Sequence, residues 1–202
     1  MTTIAAIQGK SYAVVCTDSR ISTFDESGNA YQVTTLGTGS SKIAENGRYL
    51  LGAAGDVRAI NILHHSFQPP TPTFVSGGAK LDQFITQKFI PALRDCFEST
   101  GYALPDNHDD KDHIAEHMST IIAVINKTIY IIDGDYSWTS DRTGIYAIGS
   151  GSSYALGAMY SLTNGKEVNL QKAKIAVNKG LSVASKFDPY TGAPFQTFVQ
   201  GQ

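Results

Sequence analysis

Cysteine is nearly absent. Cys16 and Cys96 are the only two in 202 residues, too few for a disulfide framework. Cys16 falls in an apolar run that reads as a buried strand and Cys96 in a helical stretch. Both read as reduced thiols, consistent with the cytoplasm, and no motif around either marks a nucleophile. No stretch approaches the roughly 20 apolar residues that span a bilayer, and the N-terminus lacks the basic-then-apolar pattern of a secretion signal. A basic surplus is missing too: 16 Lys and Arg against 18 Asp and Glu leave a net charge of -2 with no basic stripe. Nucleic acid and membrane surfaces are therefore not expected partners. No Walker-type loop is present, so any ATP-driven step belongs to another protein. Repeats, low-complexity runs and linker-like stretches are likewise missing. What remains is 42% hydrophobic with 19 Gly, the composition of an ordered globular chain, read as one domain over 1–202.

Hydrophobic patterning then divides the chain. Residues 3–8 and 12–18 are short apolar runs separated by Gly9-Lys10-Ser11, a β-hairpin pattern that leaves Asp18 at a strand end. Residues 22–41 are polar and read as a loop with a turn at Asp25-Glu26-Ser27-Gly28-Asn29. Lys42-Ile43 opens a strand that turns at Asn46-Gly47 and returns through residues 49–53. A helix follows from Asp56 to about residue 66, then a loop over 68–78. Leu81, Phe84, Ile85, Phe89, Leu93 and Phe97 give a second helix over 79–98, in which Pro91 predicts a kink. Beyond a charged connection over 99–118, strands are expected at 119–126, 128–133 and 145–148. Helices at 152–163 and 167–186 and a last strand near 195–199 complete the chain. Strand groups alternating with helix pairs predict an α+β fold, a four-layer αββα sandwich of two antiparallel sheets flanked by helices.

Thr2 has chemical potential of its own. Removal of Met1 would leave it with a free α-amine of reference pKa about 7.7–8.0, able to take the proton as the hydroxyl attacks. Its company matters more than its position. Thr2-Thr3-Ile4, Asp18-Ser19-Arg20, Lys42-Ile43, Ala54-Gly55, Gly149-Ser150-Gly151-Ser152 and Asp188-Pro189-Tyr190-Thr191-Gly192 follow one another at fixed places among the strands and helices. In this order they resemble the proteasome β-subunits and the heat-shock-locus V (HslV-type) peptidases, which are N-terminal-nucleophile hydrolases.

The resemblance implies a threonine endopeptidase that needs no cofactor. Thr2 is then the nucleophile, Lys42 a cation beside it, and Asp18 the partner that fixes Lys42. The N–H of Gly55 faces the developing oxyanion at a helix N-terminus. Ser150, Asp188 and Thr191 form a hydrogen-bonded shell around the Thr2 amine, with Thr191 where the family usually has serine. Ser22 and Ala53 are expected to bind substrate, Ala53 as the floor of the specificity pocket. The resemblance also implies unfolded polypeptide as substrate, a homo-oligomer of stacked rings, and a separate ATP-dependent unfoldase. The helices at 56–66 and 79–98, with Phe67 and Phe97 exposed, are the expected contact surfaces between subunits.

The connection from Asp18 to Lys42 is longer than the family pattern, which places an insertion in 22–41 beside the specificity pocket. Only Met1 precedes Thr2, as in the bacterial peptidase rather than in β-subunits with propeptides. His113-Ile114-Ala115-Glu116-His117 also fits the H-x-x-E-H pattern of inverted zinc peptidases, with Asp109, Asp110 and Asp112 upstream. Its polar surroundings, between Pro105 and Asn107 and the next strand, read as an exposed connection, so a chance match is the better account and no metal is expected. Two other readings stay open: an amidohydrolase cutting a small amide, and a silent structural subunit of a proteasome-like ring.

Overall fold

A computed structural model of the chain describes residues 2–201 apart from Glu26, Gly28, Asn29, Thr38 and 104–115. The first apolar runs form β1 (Thr3–Gln8) and β2 (Ala13–Thr17), paired antiparallel from Ile4 opposite Thr17 to Gln8 opposite Ala13. The polar stretch after them is not a plain loop. It contains β3 (Arg20–Phe24) and β4 (Ala30–Thr35), a two-stranded antiparallel ribbon. Residues 32–35 of β4 are all exposed, so along that stretch no buried face imprints an apolar alternation on the sequence.

β5 (Ile43–Asn46) and β6 (Tyr49–Ala54) follow, then α1 (Val57–His65), whose N-cap Asp56 accepts a hydrogen bond from Arg58 N at 2.8 Å. The predicted long helix is three pieces: α2 (Ala79–Phe84), a π-helical turn over Ile85–Phe89, and α3 (Ile90–Ser99). Pro91 explains the middle piece. Its ring lacks an N–H and would press on the carbonyl four residues back. Widening the preceding turn, so that Ile90 N reaches Ile85 O, makes room without breaking the helix. Leu81, Ile85, Phe89, Leu93 and Phe97 are all fully buried along it.

β7 (Thr120–Ile125), β8 (Thr128–Ile132), β9 (Trp138–Thr139) and β10 (Ile145–Gly149) come next, β9 being a short edge strand that the sequence did not suggest. α4 (Ser152–Thr163), α5 (Leu170–Phe187) and β11 (Gln196–Gln200) end the described chain.

The strands assemble into a four-stranded antiparallel sheet, β10-β1-β2-β11, and a five-stranded one, β5-β6-β7-β8-β9. Alternation along each strand feeds two apolar layers at once. Ile4, Ala6 and Val15 meet Ile43, Leu50, Ile122, Val124 and Ile129 between the sheets. Ala5, Ile7 and Val14 pack instead against Ala155, Met159, Val177 and Leu181 of α4 and α5. Tyr49, Leu51, Ile121 and Tyr130 pack against α1, α2 and α3. Each large buried side chain contributes about 1.5–3 kcal/mol. The layers are therefore helix, sheet, sheet, helix, as expected.

The helix surfaces differ from expectation. Phe67 and Phe97 are buried against the five-stranded sheet and are not available to a neighbour. Exposed apolar side chains lie instead on α4 and α5, including Tyr154, Leu156, Tyr160 and Phe187.

Candidate active site

Antiparallel order carries the start of β1 and the ends of β2 and β10 to one end of their sheet. In the facing sheet, the start of β5 and the end of β6 come to the same end. Ile4 and Ile43 show the closeness there: a side chain added at Gly52 would lie 2.9 Å from Ile4 Cδ1 and 2.5 Å from Ile43 Cδ1. The residues flanking these strand ends are Thr2, Asp18, Lys42, Gly55 and Ser150.

Asp18 is fully buried and its carboxylate is saturated. Oδ1 accepts from Lys42 Nζ at 2.6 Å and from Thr3 N at 3.0 Å; Oδ2 accepts from Arg20 N and Gly192 N, each at 3.0 Å. Lys42 Nζ also donates to Arg20 O, and its side chain is wholly out of water. Burial pulls the Lys42 ammonium below the usual lysine range, while the Asp18 charge and hydrogen bond oppose that shift. The result is a lysine side chain out of water and tied to a carboxylate.

Asp188 organises the opposite side. Its Oδ2 accepts from Ser150 Oγ at 2.8 Å and Thr191 Oγ1 at 2.5 Å, and its Oδ1 from Tyr190 N at 3.2 Å. Because the Thr191 hydroxyl gives its hydrogen to a carboxylate, the Thr3 hydroxyl 2.5 Å away must donate to Thr191. Thr3 Oγ1 in turn accepts from Gly151 N at 3.0 Å. Thr3 therefore joins both carboxylates, Asp18 through its backbone and Asp188 through its side chain. Sequence patterning assigns no role to Thr3 beyond strand β1, nor to the amides of Gly151 and Gly192. A threonine sharing a strand face with Ala5 and Ile7 was the available signal.

Thr2 is held by its carbonyl, which accepts from Ser150 N at 3.0 Å, and it is 3% exposed. Gly149, at φ 94°, packs so closely on Thr2 O that no side chain fits there. Gly55 lies just beyond β6 at φ 138°, where a Cβ would meet Met118 O at 2.6 Å and Ser119 Oγ at 2.7 Å. It is exposed and immediately precedes the N-cap of α1.

The expected pocket residues separate. Ser22 lies in β3, buried, and its hydroxyl has no hydrogen-bond partner among the described residues. Ala53 is fully enclosed on the helix-facing side of β6, in the cluster that holds Tyr49, Leu51 and Ile60. A cavity of about 180 Å³ between β3, the segment leading to Lys42, and α1 is lined by other residues. Ile21, Leu36, Val57 and Ile60 supply its apolar walls, and Asn61 and His64 polar ones. Ala53 is not among its lining residues, because strand alternation turns it one layer deeper.

The remaining nucleophile and metal candidates resolve differently. Burial pushes the Cys16 thiol up to about 11, leaving it protonated in the core. Of the zinc pattern, His113 lies outside the described residues and Glu116 is exposed. His117 is not exposed as expected: it is buried against Phe97, Tyr102 and Tyr136, and burial lowers its pKa to about 4. Among the described residues no group of His, Cys, Asp and Glu could hold a metal ion. No helix among them is long and apolar enough to cross a membrane.

No protein-family model matches the chain, and no protein of curated function matches it in sequence. Solved structures do. BPH from Thiobacillus denitrificans in complex with epoxomicin superposes with a TM-score of 0.72 at 20% identity, covering 98% of each chain. A second structure of that BPH gives 0.71 at 20% identity over 98% of this chain and 97% of the other. The eukaryotic HslV from Trypanosoma brucei gives 0.62 at 18% identity over 99% of each. These likenesses establish the fold, the four-layer αββα sandwich expected from the sequence.

Proposed function

We infer that this chain is a threonine peptidase whose nucleophile is Thr2, acting once the residue carries a free α-amine. The observation that carries this reading is the buried Lys42–Asp18 pair at 2.6 Å, at the strand ends where Thr2 leads into β1. Burying two charges costs several kcal/mol per ion before their attraction is counted, so a pair kept here calls for a chemical reason. A core of hydrophobic residues would hold the sheets together as well.

In the proposed reaction the Thr2 hydroxyl attacks the scissile carbonyl and its proton passes to the α-amine. Lys42, held cationic by Asp18, lowers the pKa of both groups by its charge. The oxyanion forms against Gly55 N–H at the head of α1, and collapse expels the amine half of the substrate with the proton from Thr2. Water then cleaves the Thr2 ester by the same route reversed. Ser150, Asp188 and Thr191, directed through Thr3, hold the amine in orientation. The apolar walls of the cavity beside β3, formed by Ile21, Leu36, Val57 and Ile60, suit an apolar side chain of the substrate. We place these sites inside a homo-oligomeric chamber of stacked rings, fed with unfolded polypeptide by a separate ATP-dependent unfoldase.

The test is direct. Protein of native mass well above one chain should cleave fluorogenic peptides, and Thr2→Ala should abolish cleavage while fold and assembly persist. Intact mass of active protein should lack Met1, and epoxomicin, bound by the similar BPH, should label Thr2. Full activity with Met1 retained would sink the mechanism. A monomer that cuts only a small non-peptide amide would favour the amidohydrolase reading instead.

A further inference from the structure

We propose that Ser119, braced by Tyr102, is a positioning residue that sets the orientation of the Gly55 amide. The proposal rests on the reading of Gly55 N–H as the oxyanion donor.

Gly55 occupies the junction where β6 ends and α1 begins. On its strand side the ladder fixes the chain, with Ala54 directly opposite Thr120. On its helix side the next peptide is fixed by a side chain: Asp56 N donates to Ser119 Oγ at 3.1 Å. The two peptide planes that meet at the Gly55 α-carbon are therefore each anchored to one short segment, residues 119 and 120. A glycine at φ 138° has wide conformational freedom, and these two anchors remove it.

Ser119 is itself held. It is buried, and its Oγ shares a 2.7 Å hydrogen bond with the Tyr102 hydroxyl. Tyr102 packs edge-on against Phe97 at 4.9 Å between ring centroids, and its N–H donates to Phe97 O at 2.8 Å. On the other flank, Ser119 N approaches His117 Nδ1 at 3.4 Å. The hydroxyl that orients Asp56 N–H is thus tied to the rigid end of α3. An oxyanion donor acts in proportion to how well its direction is fixed before the charge develops. Ser119 touches neither Thr2 nor the proposed substrate path, so its influence must run through Gly55.

The experiment compares Ser119→Ala, Ser119→Thr and Tyr102→Phe with the unmutated protein on one fluorogenic peptide. Loss of a whole oxyanion donor costs about 10²–10³ in kcat. A donor left in place but loosened should cost less, roughly tenfold to a hundredfold for Ser119→Ala, with KM within about twofold. Tyr102→Phe should show the same split at smaller size, and Ser119→Thr should restore kcat by returning the hydroxyl. Affinity for a peptide boronic acid, whose tetrahedral adduct carries the oxyanion, should fall with kcat. Labelling of Thr2 by epoxomicin should stay complete, showing that the sites remain folded.

Unchanged kcat in Ser119→Ala overturns the proposal. So does a loss shared equally between kcat and KM, or one matched by incomplete labelling of Thr2, since either marks a structural role. If Ser119→Thr misfolds for want of space, Tyr102→Phe alone decides through its kcat and KM. Unmutated protein that cleaves no peptide removes the underlying reading, and the proposal falls with it.

Discussion

Asp18 and Lys42 are joined at 2.6 Å with neither side chain reaching solvent. The carboxylate has four donors, three of them backbone amides of Thr3, Arg20 and Gly192. The two members should therefore fail differently. Asp18→Ala strands a buried ammonium and three amides, and should cost about 3–5 kcal/mol of stability or prevent folding. Lys42→Met leaves Asp18 with its three amides and should cost less, while peptide hydrolysis drops by orders of magnitude. Lys42→Arg should fail nearly as badly, since guanidinium is bulkier and holds its proton. Denaturant melts paired with kcat measurements check the contrast, and wild-type rates in Lys42→Met would make Lys42 a bystander.

Two glycines beside or within α4 give a sharper structural test. A Cβ at Gly151 would lie 2.5 Å from Thr3 Oγ1 and 2.8 Å from Thr191 Oγ1, within the chain of hydroxyls that ends on Asp188. Gly151→Ala should destabilise by about 1–3 kcal/mol, as overpacking does, and should lower activity. Gly157 faces open space in the same helix, so Gly157→Ala should stabilise by about 0.5–1 kcal/mol with activity unchanged. Thermal melts of the two variants should move in opposite directions.

Acid should reach His117. Burial lowers its pKa from 6.5 to about 4, so between those values the unfolded chain binds the proton and the folded one does not. The sign follows from linkage: this contribution is present above about pH 6.5 and lost as pH falls toward 4. At about 1.4 kcal/mol per pKa unit its ceiling is near 3 kcal/mol. A His117→Gln variant, melted at steps between pH 7 and 4, should show a shallower fall in Tm than the parent. Parallel curves would show that His117 carries none of the acid sensitivity.

Much of this arrangement was legible before any coordinates. Asp18, Lys42, Gly55 and Ser150 each flank a strand end, and Asp188 a helix end, that apolar patterning marks. Strand alternation and helical spacing likewise gave the layers. The ribbon of β3 and β4 escaped because residues 32–35 are all exposed, so that stretch of β4 carries no apolar period. Thr3 and Ser119 escaped for another reason. Their roles depend on hydrogen bonds to residues far along the chain, Thr191 and Asp56, and short-range pattern holds no trace of such partners. Phe67 and Phe97 show the same limit from the apolar side: a sequence can mark a greasy face without saying what covers it.

The π-helical turn before Pro91 has a consequence beyond making room for a ring. Leu81, Ile85, Phe89, Leu93 and Phe97 repeat every four residues, which in a regular helix of 3.6 residues per turn advances the stripe by about 40° at each step. Left uncorrected, Phe97 would point roughly 160° away from Leu81. The wide turn winds the stripe backward midway, so all five side chains enter one core. It works as a phase corrector, and the angular setting it delivers at Phe97 is inherited by Tyr102 and, through its hydroxyl, by Ser119. The pitch of one distant helical turn thereby becomes a dimension of the candidate catalytic site.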